Sequence, residues 1–252
     1  METKGYPMDF SGKTALVTGS TRGIGRAIAD LLSDLGAKVI YTGRKRFSDV
    51  AAGEKNDYWQ LDAGDPASVD TIQEQILDLP RLDILVNNAG INGPDSVEGL
   101  DDEEWKSILE VNLTTPMKLI RAATKVMKNA RAGGRILNVS SLFGVLGRAN
   151  RHSYTASKTA LTGITRSVGL ELAPEGILVN AIAPGFILTD MTKTMLSIEQ
   201  RKSLEEIVPI GRMGNEEEIA RFCVFLVSDH NSYMVGQTIS VDGGMTVSPG
   251  VS

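Results

Sequence analysis

Short hydrophobic runs rich in β-branched residues alternate along this chain with longer stretches of helical spacing. Most of the runs are apolar almost throughout, as expected for strands that are covered on both faces. The alternation predicts βαβ units and a parallel sheet. The seven predicted strands span residues 14–18, 38–42, 58–62, 83–87, 135–139, 178–182 and 238–242. The predicted helices lie near residues 23–35, 66–78, 101–128, 154–173 and 216–228.

The predicted fold class is α/β, a doubly wound, seven-stranded parallel sheet of the Rossmann type. A length of 252 residues suits one domain of this class. The composition is even from end to end, without a linker, a charge block or an internal repeat. We therefore expect a single domain over residues 1–252.

Composition and charge exclude several classes of protein. Cys223 is the only cysteine, and His152 and His230 are far apart, so we expect neither a disulfide nor a bound metal. A formal net charge of −5 argues against a nucleic-acid surface, and no apolar run is long enough to span a membrane. We expect a cytoplasmic protein whose partners are small molecules.

A glycine-rich segment, TGSTRGIG at residues 18–25, follows the first predicted strand and begins the first helix. This is the position of a dinucleotide-binding turn. Gly19 allows a sharp turn out of the strand, Gly23 allows close approach of a pyrophosphate, and Gly25 allows close helix packing. The helix N-terminus provides free N–H groups for the anion. The alternative is an ordinary turn without a ligand.

The end of the second strand bears on the choice of cofactor. A carboxylate that binds the ribose 2′-hydroxyl of NAD is expected there, but the sequence has Gly43 and Arg44. A guanidinium suits the 2′-phosphate of NADP, and Arg22 in the glycine-rich turn is placed to bind it from the other side. The alternative is that both arginines are solvated loop residues. The sequence favours NADP over NAD.

Tyr154 and Lys158 lie four residues apart, and so on one face of a helix. A phenol has an ordinary pKa near 10, and a nearby ammonium lowers that pKa toward the useful range of an acid–base catalyst. Ser141 follows the fifth strand, where open α/β sheets bind ligands, and is placed to hold a carbonyl oxygen. A serine that merely caps a loop is the alternative.

Asn112 stands in a helical stretch that asparagine disfavours, four residues before Pro116. Because proline has no N–H, the Asn112 carbonyl loses its helical donor and is free to hold a water molecule. The alternative is a helix kink that serves packing alone.

Together these segments resemble the short-chain dehydrogenase/reductase family. The resemblance covers residues 8–246 and implies that Tyr154 is the acid–base and that Ser141 polarises the substrate oxygen. It also implies that Lys158 binds the nicotinamide ribose and lowers the tyrosine pKa, while the main-chain carbonyl of Asn112 holds a water that links Lys158 to solvent. The motifs are TGSTRGIG, NNAG at 87–90, EVNL at 110–113, VSS at 139–141, YTASK at 154–158, PG at 184–185 and VDGG at 241–244.

The same resemblance implies a set of NADP contacts, most of which follow the ends of five of the predicted strands. Adenine contacts are implied after the third strand, and contacts that close over the nicotinamide and pyrophosphate after the sixth. The NNAG segment is alternatively a brace of the sheet, and VDGG a structural turn or subunit contact. The expected cofactor-binding residues are Gly19, Thr21, Arg22, Gly23, Ile24, Gly25, Arg44, Asp62, Ala63, Asn88, Ala89, Gly90, Tyr154, Lys158, Pro184, Gly185, Ile187 and Thr189.

The chain departs from the family pattern at two places. The crossover from Gly43 to Tyr58 is short, which is expected to leave the 2′-phosphate pocket more open. Ala132 and Glu175 are expected on a rim near the active site that is basic in reductases of carrier-bound acyl groups. The residues expected to supply a substitute basic patch are Lys125, Lys128 and Arg131.

The predicted activity is NADP(H)-dependent interconversion of a ketone and a secondary alcohol by hydride transfer. By resemblance the leading substrate is a 3-oxoacyl thioester, and a sugar, polyol or other small ketone is the alternative. A non-catalytic protein that senses the NADP redox state is an alternative of a different class, and it predicts the loss of a catalytic residue. The expected apolar pocket wall consists of Phe143, Val145, Leu146, Phe186, Met191 and Met195.

The resemblance also implies a homotetramer with twofold symmetry. The helices predicted at 101–128 and 154–173 carry apolar residues on more than one face, which is more than one side of a sheet can cover. The apolar residues considered in the second helix are Leu161, Ile164 and Val168.

Overall fold

The computed structural model describes residues 8–45, 57–189, 192 and 197–248. Most of the crossover before Tyr58 lies outside the described residues, as do the predicted wall residues Met191 and Met195.

The described residues form one seven-stranded sheet in the order β3–β2–β1–β4–β5–β6–β7, with every neighbouring pair parallel. The predicted α/β fold class is therefore confirmed, and the strand ends differ from the predicted ones by two residues at most. The chain order reverses between β1 and β4, so their carboxyl ends open a crevice of the kind that binds ligands. The strands are β1 Thr14–Val17, β2 Lys38–Gly43, β3 Asp57–Gln60, β4 Ile84–Asn87, β5 Gly134–Val139, β6 Ile177–Pro184 and β7 Thr238–Val241.

Helices cover both faces of the sheet, and each predicted helical stretch is helical in the structure. Among the described residues, Ile198–Ile207 forms a further helix, α6, that was not predicted because it buries no residue and so lacks an apolar stripe. The helices are α1 Gly23–Asp34, α2 Pro66–Leu77, α3 Asp102–Leu109, α4 Thr115–Ala130, α5 His152–Leu172, α6 Ile198–Ile207 and α7 Glu216–Val227. Short 3₁₀ turns span Leu142–Gly144 and Ala173–Glu175.

The prediction of one continuous helix over 101–128 is wrong. A π-helical turn at Glu110–Thr114 separates α3 from α4, and the N–H of Thr115 donates to the carbonyl of Glu110, five residues back. Pro116 has no N–H to offer the carbonyl of Asn112, which disfavours the regular α-helical ladder at this point. Such π-turns occur frequently at functional sites, and this one carries Asn112.

The two faces of the sheet bury separate cores. Alternate residues of β1 point to opposite sides, so Val17 packs with residues of α1 and α7, while Leu16 packs with residues of α2 and α4. Both side chains are fully buried, and burial of such a side chain contributes about 1.5–3 kcal/mol. Within the described ranges, no helix has both the length and the apolar character that crossing a membrane requires.

A chain of buried polar side chains connects the middle strands to α5. The Asn87 amide donates to Asn138 Oδ1 at 2.9 Å, and the Asn138 amide donates to Thr165 Oγ1 at 3.0 Å. Because unpaired polar groups are costly in a core, these bonds favour one position of α5 along β5. They therefore orient the helix that carries Tyr154 and Lys158.

Candidate active site

The glycine-rich turn after β1 is left-handed at two of its glycines. Gly19 has φ +64° and Gly23 has φ +62°, a conformation that residues with a Cβ rarely adopt. Gly25 is required by space: a Cβ there would lie 2.3 Å from Asn88 Nδ2 and 2.5 Å from the carbonyl oxygen of Gly19. At Gly25 the helix thus packs against the turn and Asn88. The sequence predicted that it would pack on the sheet.

The N-terminus of α1 is open to a ligand. Arg22 precedes it without a capping side chain among the described residues, and its first turn has no acidic residue. In contrast, α2 and α7 are capped by Asp65 and Asn215. A Cβ built on Gly23 would meet no described atom nearer than Glu216 Oε1 at 3.7 Å. Free N–H groups and the positive end of a helix dipole fit the pyrophosphate of a dinucleotide.

The NNAG segment braces this turn. Thr18 Oγ1 accepts hydrogen bonds from the N–H groups of Asn88 at 2.9 Å and Ala89 at 3.0 Å. The Asn88 amide donates to the carbonyls of Thr18 at 2.9 Å and Gly19 at 3.2 Å. The side chain of Asn88 therefore has the bracing function that the sequence left as an alternative.

The two arginines expected at the 2′-phosphate lie at the same end of the sheet. Thr21 contacts the end of β2 so closely that a Cβ on Gly43 would lie 2.5 Å from Thr21 Cγ2. Arg22 follows Thr21 and Arg44 follows Gly43, and both arginine side chains are exposed. The carbonyl of Arg44 accepts a hydrogen bond from Gln60 Nε2 at 3.0 Å, which ties its backbone to β3.

The cofactor-contact residues expected after β3 and β6 lie at the same edge of the sheet. The carbonyl of Ala63 accepts a bond from Thr115 Oγ1 at 2.8 Å, and the neighbouring Asp62 is exposed. After Pro184, Gly185 lies against the end of β7, where a Cβ would be 2.7 Å from the Cα of Asp242. After β6 the expected residues also include the buried Ile187 and the partly exposed Thr189, and the glycine-rich turn includes the partly exposed Ile24.

Ser141 and Tyr154 meet at the carboxyl end of β5. The Ser141 side chain lies near enough to the Tyr154 hydroxyl to act on its pKa. Ser141 Oγ also accepts a bond from the N–H of Phe143 at 3.2 Å, so the serine caps the short 3₁₀ turn as well. The ammonium nitrogen of Lys158 lies 5.8 Å from the centre of the Tyr154 ring. The structure thus brings together the three side chains that the sequence singled out.

The expected effect of Lys158 on Tyr154 is not found in this structure. Burial raises the pKa of Tyr154 above its ordinary value, and the neighbouring Ser141 hydroxyl opposes that rise in part. Lys158 Nζ instead donates to the carbonyl of Val139 at 2.8 Å. Burial also lowers the pKa of Lys158 to about 8, which weakens its influence as a fixed positive charge.

The side chain of Asn112 has a function that sequence reasoning missed. Its Oδ1 accepts from the N–H of Ile91 at 2.9 Å, and its amide donates to the Ile91 carbonyl at 2.9 Å and to Ser157 Oγ at 3.1 Å. A Cβ on Gly90 would lie 3.2 Å from Asn112 Oδ1 and 3.3 Å from Lys158 Nζ. Asn112 therefore ties the loop after β4 to α5, directly beside the ammonium.

Asp95 is a second residue that sequence reasoning missed. Its carboxylate accepts hydrogen bonds from the N–H of His152, the N–H of Ser153 at 2.8 Å and the hydroxyl of Ser153. Burial acts to raise the pKa of Asp95, but these hydrogen bonds lower it below its ordinary value. The residue before α5 is Arg151, whose side chain does not cap the helix. The absence of a capping residue at this position was the one sequence feature that indicated a cap from a distant residue.

The expected pocket wall is found in part. The rings of Phe143 and Phe186 pack edge to face with their centres 6.2 Å apart. Leu146, three residues after Phe143, is partly exposed, and Val145 is half-exposed to solvent.

The expected basic patch lies at the wrong edge of the sheet. Ala132 precedes β5 and Glu175 precedes β6, so both lie at the amino ends of these strands, whereas Ser141 follows the carboxyl end of β5. Lys128, near the end of α4, is also paired with Glu175 at 3.1 Å. The prediction that this rim borders the active site is wrong within one chain, because the two ends of parallel strands are separated by the full length of the strands. The other two patch residues, also at the end of α4, are Lys125 and Arg131.

A parallel sheet with an open helix N-terminus and a Ser–Tyr–Lys cluster at one edge defines the Rossmann class of dinucleotide-dependent oxidoreductases. The family described as enoyl-(acyl carrier protein) reductase matches residues 19–246. The 3-oxoacyl-[acyl-carrier-protein] reductase FabG of Salmonella typhimurium is 44% identical over 244 residues, which cover 94% of this chain and 99% of that protein. The protein of the same name from Escherichia coli is 43% identical over 244 residues, with the same coverage of 94% and 99%.

Solved structures agree with this assignment. One described as an NAD(P)-dependent gluconate 5-dehydrogenase from Beutenbergia cavernae, with NADP bound at low occupancy, has a TM-score of 0.89 and 34% identity, and the match covers 96% of this chain and 100% of that chain. A short-chain type dehydrogenase/reductase from Mycobacterium marinum has a TM-score of 0.86 and 32% identity, with coverage of 95% and 98%. The chain belongs to the short-chain dehydrogenase/reductase family.

Loss of the distant cap should reduce activity beyond its effect on stability. Asp95→Ala is expected to cost about 1–2 kcal/mol of unfolding free energy, typical of a lost helix cap, and to lower kcat because Tyr154 lies in the first turn of α5. The matched control is Asp65→Ala, which removes the cap of α2 and should lower stability alone. Urea unfolding and steady-state kinetics on both variants test this. Equal kcat in the two variants would contradict a link between the cap and the site.

Proposed function

We propose that this protein is an NADP(H)-dependent reductase that converts the ketone of a 3-oxoacyl thioester to a secondary alcohol. The observation that carries the proposal is the cluster of Ser141, Tyr154 and Lys158 at the same sheet edge as the open N-terminus of α1. The 3-oxoacyl-[acyl-carrier-protein] reductases, at 44% and 43% identity, support the substrate class.

The side chains handle the substrate oxygen and its proton. When bound, NADPH supplies the hydride that the carbonyl carbon accepts. The Ser141 hydroxyl donates a hydrogen bond to the carbonyl oxygen and polarises it. The Tyr154 hydroxyl transfers its proton to that oxygen as negative charge develops, and in the reverse direction the phenolate accepts the proton.

Lys158 and Asn112 support this proton transfer. The Lys158 ammonium binds the nicotinamide ribose and stabilises the tyrosine as phenolate, through the donors that remain beside its bond to the Val139 carbonyl. The main-chain carbonyl of Asn112 holds a water that links Lys158 to solvent. The lack of an N–H at Pro116 supports this assignment, because it removes the regular donor of that carbonyl.

The cofactor contacts follow the carboxyl edge of the sheet. The turn from Gly19 to Gly25 binds the pyrophosphate, Arg22 and Arg44 bind the 2′-phosphate, and the backbone of Ala89 and Gly90 lines the ribose. Asp62 and Ala63 contact the adenine, and the segment from Pro184 to Thr189, with Ile187, closes over the nicotinamide. The open helix N-terminus and the exposed arginines support these assignments.

A keto-sugar acid is the alternative substrate, and the gluconate dehydrogenases among the structural relatives support it. A non-catalytic sensor of the NADP redox state is disfavoured because Asn112, Ser141, Tyr154 and Lys158 are all present. A cytoplasmic location, a single domain over residues 1–252 and the lack of nucleic-acid partners stay predictions.

The homotetramer is part of this proposal, but its support differs from the sequence argument. Leu161 and Val168 are buried within the chain, so they leave no apolar face for a partner. Support comes instead from a shallow groove between α4 and α5, where Met117 is exposed and Ile164 is partly exposed. Contact between two such grooves would bury these side chains.

Removal of the proton donor should abolish turnover. Tyr154→Phe is expected to lower kcat about 100-fold to 10,000-fold, the range for a lost general acid, while NADPH affinity stays nearly unchanged. Tyr233→Phe makes the same chemical change at a side chain that is 96% exposed and should have no effect. NADPH absorbance and fluorescence titration are the measurements. Activity above a few per cent in Tyr154→Phe would disprove the mechanism.

The two arginines should give at least about a tenfold preference for NADPH over NADH, since each charge-assisted contact contributes about 1.5–3 kcal/mol. Arg22→Gln with Arg44→Gln should remove that preference. A carboxylate at Gly43 is a poorer test, because its Cβ would lie 2.5 Å from Thr21 Cγ2. The control is Lys38→Gln, at the opposite end of β2. The measurement is kcat/KM with each cofactor, and equal values for the wild type would refute the assignment.

Light scattering should give four times the chain mass of 27.0 kDa. Met117→Glu places a charge in the groove between α4 and α5 and should shift the assembly toward smaller species. The matched control is Val97→Glu, at a side chain that is 75% exposed outside the groove. A stable wild-type monomer at micromolar concentration would refute the tetramer.

A further inference from the structure

The charge of this chain is distributed unevenly, in contrast to the even composition expected above. Residues 111–170 contain ten Lys and Arg residues and no Asp or Glu, in a chain of net charge −5. This segment includes the strand, turn and helix that carry Ser141, Tyr154 and Lys158. The active site is therefore built from the basic part of an acidic protein.

Most of these cations are far from the site or already paired. Lys118 pairs with Glu110 at 3.2 Å and Lys128 pairs with Glu175 at 3.1 Å. Arg135 is the second residue of β5, at the edge of the sheet opposite the site. Arg148 and Arg151 differ, because they lie in the loop between the 3₁₀ turn after Ser141 and the start of α5.

Arg148 is held at the wall of the expected substrate pocket. Its guanidinium carbon lies 5.7 Å from the centre of the Phe143 ring, and Phe143 packs on Phe186. The N–H of Phe143 donates to Ser141 Oγ. Phe143 therefore contacts both the Arg148 guanidinium, through its ring, and the proposed oxygen-binding hydroxyl, through its backbone. A guanidinium on an aromatic face keeps its N–H groups free for a ligand.

Both arginines lack an acidic partner among the described residues. Within the part of the chain that the structure describes, no carboxylate lies at ion-pair distance from Arg148 or Arg151. Arg151 donates to the carbonyl of Asn150 at 2.7 Å, which leaves most of its donors available. Asp95 reaches the start of the same helix, but its carboxylate is buried and accepts three hydrogen bonds.

We propose that Arg148 and Arg151 form an anion-binding rim at the substrate entrance, which selects ketones that carry a negative group remote from the carbonyl. The inference rests on the proposed function and adds a specificity-determining site to it. Two sources supply this chemistry: the phosphate of a phosphopantetheine thioester and the carboxylate of a keto-sugar acid. A guanidinium binds either anion through paired N–H donors.

Matched substrate pairs separate the two sources. The first pair is the 3-oxobutanoyl thioester of phosphopantetheine and that of pantetheine, which lacks the phosphate. The second pair is a keto-sugar acid and the neutral ketose of the same chain length. We expect the wild type to prefer the charged member of one pair about tenfold or more in kcat/KM, and the preference to fall as salt is added. The pair that shows the preference identifies the anion.

Arg148→Gln and Arg151→Gln should each reduce that preference severalfold, because kcat/KM falls more for the charged member than for the neutral one. Arg148→Lys should restore part of it, because the charge is kept while the paired donors are lost. Lys125→Gln removes one charge at the opposite edge and should leave the preference intact. The inference is overturned if neither pair shows a preference, if the preference survives both arginine variants, or if Lys125→Gln removes it equally.

A binding measurement distinguishes failure of the inference from failure of the proposed function. Calorimetric titration with the 3-hydroxybutanoyl thioesters of phosphopantetheine and pantetheine needs no turnover. Tighter binding of the phosphorylated member, lost in Arg148→Gln, supports the phosphate rim even where no ketone is reduced. The opposite outcome is that ketones are reduced while the two thioesters bind equally and the keto-sugar acid is not preferred. That outcome supports the proposed function and overturns the anion-binding rim.

Discussion

The buried ammonium of Lys158 donates to the carbonyl of Val139, and the segments of the active site are arranged around this group. A buried cation is costly unless it is hydrogen-bonded, so β5 and α5 are constrained at their meeting point. Gly90 passes close to the same nitrogen, since a Cβ there would lie 3.3 Å away. Asn112 fixes that loop from the π-turn. One desolvated charge thus requires the strand, helix and loop to meet with little tolerance.

The topology of the sheet explains why the proposed anion and redox sites adjoin. All seven strands are parallel, so the open N-terminus of α1 and the Ser141–Tyr154 pair both lie at carboxyl ends. The braces between these sites are hydrogen bonds of Thr18 and Asn88 at the turn. Since these groups are fixed before any ligand binds, little ordering is left to oppose cofactor binding.

Long-range hydrogen bonds hold the helix that carries the proposed catalytic pair. Asp95 caps the start of α5 from the loop after β4, and Asn138 bonds Thr165 further along the same helix. The two contacts restrain the helix at separate points, which favours one position of Tyr154 relative to Ser141. Small displacements reduce proton transfer strongly, so such restraint has a direct chemical consequence.

Several features of this protein follow from local sequence. The strands, the glycine-rich turn and the shared face of Tyr154 and Lys158 depend on spacing along a few residues, and the sequence by itself determined them. The sequence also marked the Asn112 carbonyl as lacking its regular helical donor, through the missing N–H of a proline, but it predicted a continuous helix where the structure has a π-turn. These features were predictable because their causes lie within one helical turn or one strand.

Other features depend on contacts between distant segments, and the tertiary structure alone decided them. The cap from Asp95 joins residues 57 and 58 positions apart, and no local pattern marks it. The direction of the Lys158 ammonium depends on the Val139 carbonyl, which the folded core places beside it. The distance of Lys125 from the site is set by the parallel sheet, which separates residues at opposite ends of a strand. Chain spacing contains none of this information, because burial and pairing are properties of the assembled core.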